Sequence, residues 1–73
     1  MIVKRVVYKY IHFIKMPHGI WSCCNRKSGE ELGEVKWYAP WRQWVYSPTV
    51  QAVYSRDCLA DIEDFISQLD TPE

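Results

Sequence analysis

Three tryptophans and two tyrosines fall within ten residues of this chain, Trp37, Tyr38, Trp41, Trp44 and Tyr46, with Lys36 before them and Arg42 among them. Exposed rings stack on nucleic-acid bases while cations meet phosphates. The same residue types anchor protein interfaces. Strand alternation puts Arg42, Trp44 and Tyr46 on one face of their strand, and Lys36 and Tyr38 together on the strand before it. These five residues, Lys36, Tyr38, Arg42, Trp44 and Tyr46, are the expected binding site. The competing reading is structural: a small sheet needs volume, and Trp37, Trp41 and Trp44 supply it from few positions.

Other chemistry is sparse. A Cys-His nucleophile pair needs Cys23, Cys24 or Cys58 beside His12 or His18, and only Cys23 or Cys24, on a neighbouring strand, comes within reach of either histidine. Structural zinc sites draw on paired ligands a few residues apart, and these five residues lack that spacing. Adjacent strand cysteines also point to opposite faces, so only one of Cys23 and Cys24 can join a common site. No Walker loop, dinucleotide glycine fingerprint or Gly-x-Ser-x-Gly elbow occurs. No catalytic residue, metal or cofactor is expected, and the chain reads as a non-enzyme.

The totals bound what such a surface can belong to. Seventy-three residues, 48% of them hydrophobic and 15% aromatic, make one ordered globular domain spanning 1–73. No apolar run approaches the ~20 residues that span a bilayer. Lys4, Arg5, Lys9 and Lys15 interrupt the apolar start, so it makes a poor signal-peptide core and a soluble cytoplasmic protein is expected. Three cysteines, two of them adjacent, suit free thiols better than a disulfide framework. Net charge is zero, yet residues 1–46 carry a balance of +5 and residues 47–73 one of −5. Either two faces of opposite potential follow, or the halves complement each other inside the fold.

The elements that must position the site come next. Val, Ile, Tyr and Phe crowd residues 2–15, predicting a long first strand. Met16, Pro17, His18 and Gly19 make a turn, and residues 20–25 a second strand. A polar loop through Ser28 and Gly29 leads to a third strand over 32–38. There Leu32 reaches the same face as Val35 and Trp37 only if Gly33 forms a bulge. Ala39 and Pro40 reverse the chain into a fourth strand over 41–47, and residues 50–54 are a candidate fifth, edge strand. Ser55 caps a C-terminal helix whose apolar stripe is Cys58, Leu59, Ile62, Phe65, Ile66 and Leu69. Asp57, Asp61 and Asp64 line its opposite edge, and Asp70, Thr71 and Pro72 stop it. Strands followed by one helix predict an α+β fold. Its form is a four- to five-stranded antiparallel meander with the helix packed on one face and the other face uncovered.

Three segments carry a resemblance. They are a Leu-Gly-x-Val-x-Trp-Tyr segment at 32–38, a Pro-Trp-Arg-Gln-aromatic segment at 40–44 and a Cys-Leu-x-Asp-Ile segment at 58–62. Together they resemble a group of small uncharacterised bacteriophage and mobile-element proteins, over residues 21–69. The resemblance implies a genomic setting and carries no mechanism. The expected function is a small non-enzymatic binding module engaging a host protein or nucleic acid. A protein partner ranks first, no membrane is involved, and a homodimer is a further option. The alternatives are a nucleotide or single-stranded nucleic-acid binder using the aromatic and basic sheet face, and then a small enzyme.

Overall fold

The computed structural model describes residues 3–70. Four strands, β1 (Ile11–Lys15), β2 (Trp21–Asn25), β3 (Glu31–Tyr38) and β4 (Gln43–Pro48), precede one helix, α1 (Arg56–Asp70). All neighbours pair antiparallel in the order β1-β2-β3-β4. This is the expected α+β meander with a single C-terminal helix. Among the described residues no helix is long and apolar enough to cross a membrane.

The helix is built as its sequence indicates. The Ser55 hydroxyl accepts the Cys58 amide at 3.1 Å, satisfying one of the donors that every helix start leaves open. Ile62, Phe65 and Leu69 are buried against the sheet, with Cys58 and Ile66 at the margin of the contact. Leu59 departs from the expected stripe and is 53% exposed. At 100° per residue it sits on the flank of the stripe whose centre is Leu69, so docking turns it outward. The predicted stop falls partly beyond view: α1 runs through Asp70, while Thr71 and Pro72 lie outside the described residues.

Under the helix, the core gathers Tyr8, Ile11, Phe13, Cys23, Leu32 and Val35 from the sheet side. Phe65 is fully buried, and Trp21 meets its ring edge-on with centroids 5.1 Å apart. Leu32 enters this core through an irregularity: Cys23 pairs with Gly33, but Cys24 pairs with Glu31, leaving Leu32 as the extra residue. The expected bulge is thus present, and it turns Leu32 inward.

Two sequence expectations fail. The long first strand does not exist: only residues 11–15 are β1, and Ile2 lies outside the described residues. Fourteen extended residues would reach about 46 Å, more than the molecule's longest dimension of 32 Å. The chain instead doubles back. The Tyr8 amide donates to the Ile11 carbonyl, the Phe13 amide donates to the Val6 carbonyl, and Val7 forms an isolated bridge with His12. Gln68 of α1 ties this segment down, accepting from the Lys4 and Arg5 amides and donating to the Arg5 carbonyl. The fifth strand is absent as well. Residues 49–55 form an irregular strap in which Val50 and Val53 point into solvent, while Ala52 and Tyr54 pack on the core.

Candidate functional site

The register of the β3–β4 hairpin decides which aromatic residues meet. Tyr38 pairs with Gln43, Trp37 with Trp44, Lys36 with Val45 and Val35 with Tyr46. Directly paired residues share a face. Trp44 and Tyr46 therefore lie with Trp37 and Val35 on the helix side, whereas Lys36 and Tyr38 lie with Val45 and Gln43 on the open side. The expected five-residue site is split in two by the sheet. The cause is the connection: four residues, 39–42, link paired Tyr38 and Gln43, and one residue more or fewer would invert the sharing. Arg42 belongs to neither face. It sits in the turn at φ 54°, its amide donating to the Ala39 carbonyl at 3.1 Å.

On the helix side, Trp44 and Tyr46 are structural. Trp44 packs edge-on against Trp37, centroids 5.8 Å apart, and both Trp44 and Tyr46 adjoin the buried core. The Tyr46 hydroxyl donates to the Tyr54 hydroxyl at 3.0 Å, and Tyr54 donates in turn to the Leu32 carbonyl. Burial, then the hydrogen bonds to Tyr54 and Cys23, push Tyr46 well above the ordinary range of a phenol. Burial also pushes the Cys23 thiol up to about 11. At neutral pH Cys23 is a protonated core thiol and a poor nucleophile.

The open side carries the exposed half. Lys36, Tyr38, Trp41, Val45 and Ser47 line a shallow depression of about 340 Å³ that ends at Pro48, with Tyr46 contributing from the strand. Trp41 stands on the turn, 65% exposed, and meets the Tyr38 ring edge-on at 5.0 Å. Tyr38 itself is 39% exposed. Lys36 is half-buried at the wall and makes no ion pair among the described residues. Of the expected site residues, the depression thus unites Lys36 and Tyr38 with part of Tyr46 and excludes Arg42 and Trp44. It adds Trp41, which strand alternation had placed in a regular β4. The turn that Pro40 opens runs on through Arg42, so Trp41 stands outside the ladder.

A polar row crosses the same open face farther back. Cys24 pairs with His12 on one side and Glu31 on the other. The Ser22 hydroxyl donates to Glu31 at 2.6 Å and lies 3.4 Å from the Cys24 sulfur. The Cys-His adjacency anticipated from sequence is therefore Cys24 with His12. Cys24 is only 7% exposed. All three cysteines are free thiols, and among the described residues no three ligating groups are placed to hold a metal ion.

The two charged halves meet along a seam. Asp64 accepts the Tyr8 hydroxyl at 2.7 Å, and Asp57 shares a hollow of about 500 Å³ with Tyr10 and Asn25. The acidic edge of α1 thus runs beside the basic N-terminal segment, whose Arg5 guanidinium lies 4.3 Å from the Tyr8 ring centre. Compared with family models, curated proteins and solved structures, the chain matches none.

Proposed function

We propose that this chain is a non-enzymatic binding module whose contact surface is the open-face depression of the β3–β4 hairpin, and that its partner is a protein. Trp41 carries the reading. A tryptophan 65% exposed on a hairpin turn contributes nothing to the core, and it stands beside Tyr38 and near Lys36, which makes no ion pair among the described residues. Tryptophan and tyrosine anchors over a shallow apolar recess, with a cation at the rim, are the composition of protein-interface hot spots. Glu31 and Glu34 on the same face disfavour a phosphate backbone tracking across it. Lys36 suits a partner side chain or terminus bearing a carboxylate beside an apolar group.

A second reading has one observation in its favour: Trp41 and Lys36 together could stack a base and hold its phosphate. The deciding experiment purifies tagged wild type and Trp41→Ala side by side, with circular dichroism confirming that both are folded. Under the proposal, wild type retains one defined protein stoichiometrically, and Trp41→Ala loses it. Retention by Trp41→Ala overturns the assignment. Nucleic acid or nucleotide in place of protein, released steeply by salt, supports the second reading.

A further inference from the structure

The two edges of the sheet are treated differently. At β1 the outward groups are occupied: Val6 accepts from Phe13, and Ile11 accepts from Tyr8, so residues 6–8 cover the start of the edge. At β4 nothing comparable occurs among the described residues. Hydrogen bonding along β4 alternates, and its phase is fixed by the Thr49 amide, which donates inward to the Leu32 carbonyl at 2.9 Å. Counting back by twos, Ser47, Val45 and Gln43 bond to β3. Trp44 and Tyr46 therefore turn their N–H and C=O groups outward, away from the sheet. Natural edges are commonly guarded by charges, and Gln43, Trp44, Val45, Tyr46, Ser47 and Pro48 include none.

We propose that β4 is the interface for a second copy of this chain, the two β4 strands pairing antiparallel about a two-fold axis at Val45. The pairing is self-complementary, as a two-fold interface requires. With Val45 facing Val45 of the second copy, each Trp44 stands opposite a Tyr46. All outward N–H and C=O groups of both residues are then bonded, giving four hydrogen bonds across the axis. The register one step on, with Tyr46 facing its own copy, sets the Trp44 carbonyl against Pro48, which has no N–H to give. Pro48 thereby selects the register and ends the ladder. Side chains agree with the backbone: aromatic Trp44–Tyr46 pairs form on the helix side and a Val45 pair on the open side, with no like charges opposed. The eight-stranded sheet also sets the two open-face depressions next to one another across the axis, so a partner would meet a paired surface. The pairing does not depend on that partner.

Light scattering and amide hydrogen exchange on the purified chain test this without any partner. A molar mass twice 8.7 kDa is expected, with the Trp44 and Tyr46 amides protected in the dimer and losing that protection on dilution. Val45→Lys places two ammonium groups across the axis and should halve the mass while leaving the circular dichroism spectrum unchanged. A chain that stays monomeric at its highest soluble concentration overturns the proposal. So does a dimer in which the Trp44 and Tyr46 amides exchange freely. If Val45→Lys fails to fold, exchange in the wild type decides alone.

Discussion

Phe65 lies flat on Phe13, ring centroids 3.9 Å apart and planes within 4° of parallel, fixing α1 to the first strand of the sheet. Tyr8 also meets Phe13, edge-on at 5.8 Å. Phe65 thus joins α1 to β1 through Phe13, which also holds Tyr8 of the N-terminal segment, and to β2 through Trp21. Phe65→Ala removes the centre of that stack and leaves a cavity that three rings cannot all relax into. A loss of about 3–5 kcal/mol is expected, close to the whole stability of a chain this small. Urea unfolding monitored by tryptophan fluorescence reads it directly, and an unchanged midpoint would refute the docking.

Gly33 is a second point where the packing admits no addition. A Cβ there would lie 2.6 Å from the Tyr46 ring and 2.7 Å from the Ser47 carbonyl oxygen. The ring is held by its bond to Tyr54, and the carbonyl belongs to the paired strand, so neither yields cheaply. Gly33→Ala should cost about 1–3 kcal/mol by overpacking. A neutral result in chemical denaturation would mean that Tyr46 does not lie across this glycine.

The helix, its cap and the antiparallel order were legible in the sequence because each rests on local signals: the 58–69 apolar spacing, Ser55, and turn residues between β-rich runs. What was not legible depends on distance or parity. The apolar content of residues 2–15 says strand, but no local signal says that Tyr8 will be drawn inward to Asp64 and fold the segment back. The faces of Trp44 and Tyr46 depended on whether the turn holds an even or odd number of residues, and alternation within one strand cannot supply that number. The depression therefore gathers Lys36 and Tyr38 of the five expected residues, joins them with Trp41 of the turn, and leaves Trp44 on the opposite face.

Alkaline pH should destabilise the fold, beginning near pH 9. The Cys23 thiol has an ordinary value of 9.0 and is held near 11 in the folded chain, chiefly by burial. Between these values the unfolded chain has released its proton and the folded chain has not, so stability falls as pH rises. The contribution at stake is about 3 kcal/mol at most. Tyr8 and Tyr46 are raised in the same sense, by burial first, and extend the decline to higher pH. In Cys23→Ala the decline should begin later, at the tyrosine range. A stability profile flat from pH 8 to 11 would contradict the buried, neutral thiol.

Trp41 and Trp44 are three residues apart and should respond to truncation in opposite ways. Trp44 packs on Trp37 and adjoins the core, so Trp44→Ala should cost about 3 kcal/mol. Any loss of partner binding in that variant would follow from the damaged fold. Trp41 stands on the turn, touching Tyr38 and exposing most of its surface. Trp41→Ala should shift stability by about 0.5 kcal/mol or less. If the open-face depression is the contact surface, the same change removes the partner, because a hot-spot ring is worth ~2 kcal/mol or more at an interface. The two measurements must therefore dissociate, with unfolding sensitive to Trp44 and binding sensitive to Trp41. Equal destabilisation by both would return Trp41 to the core and leave the hairpin without a binding role.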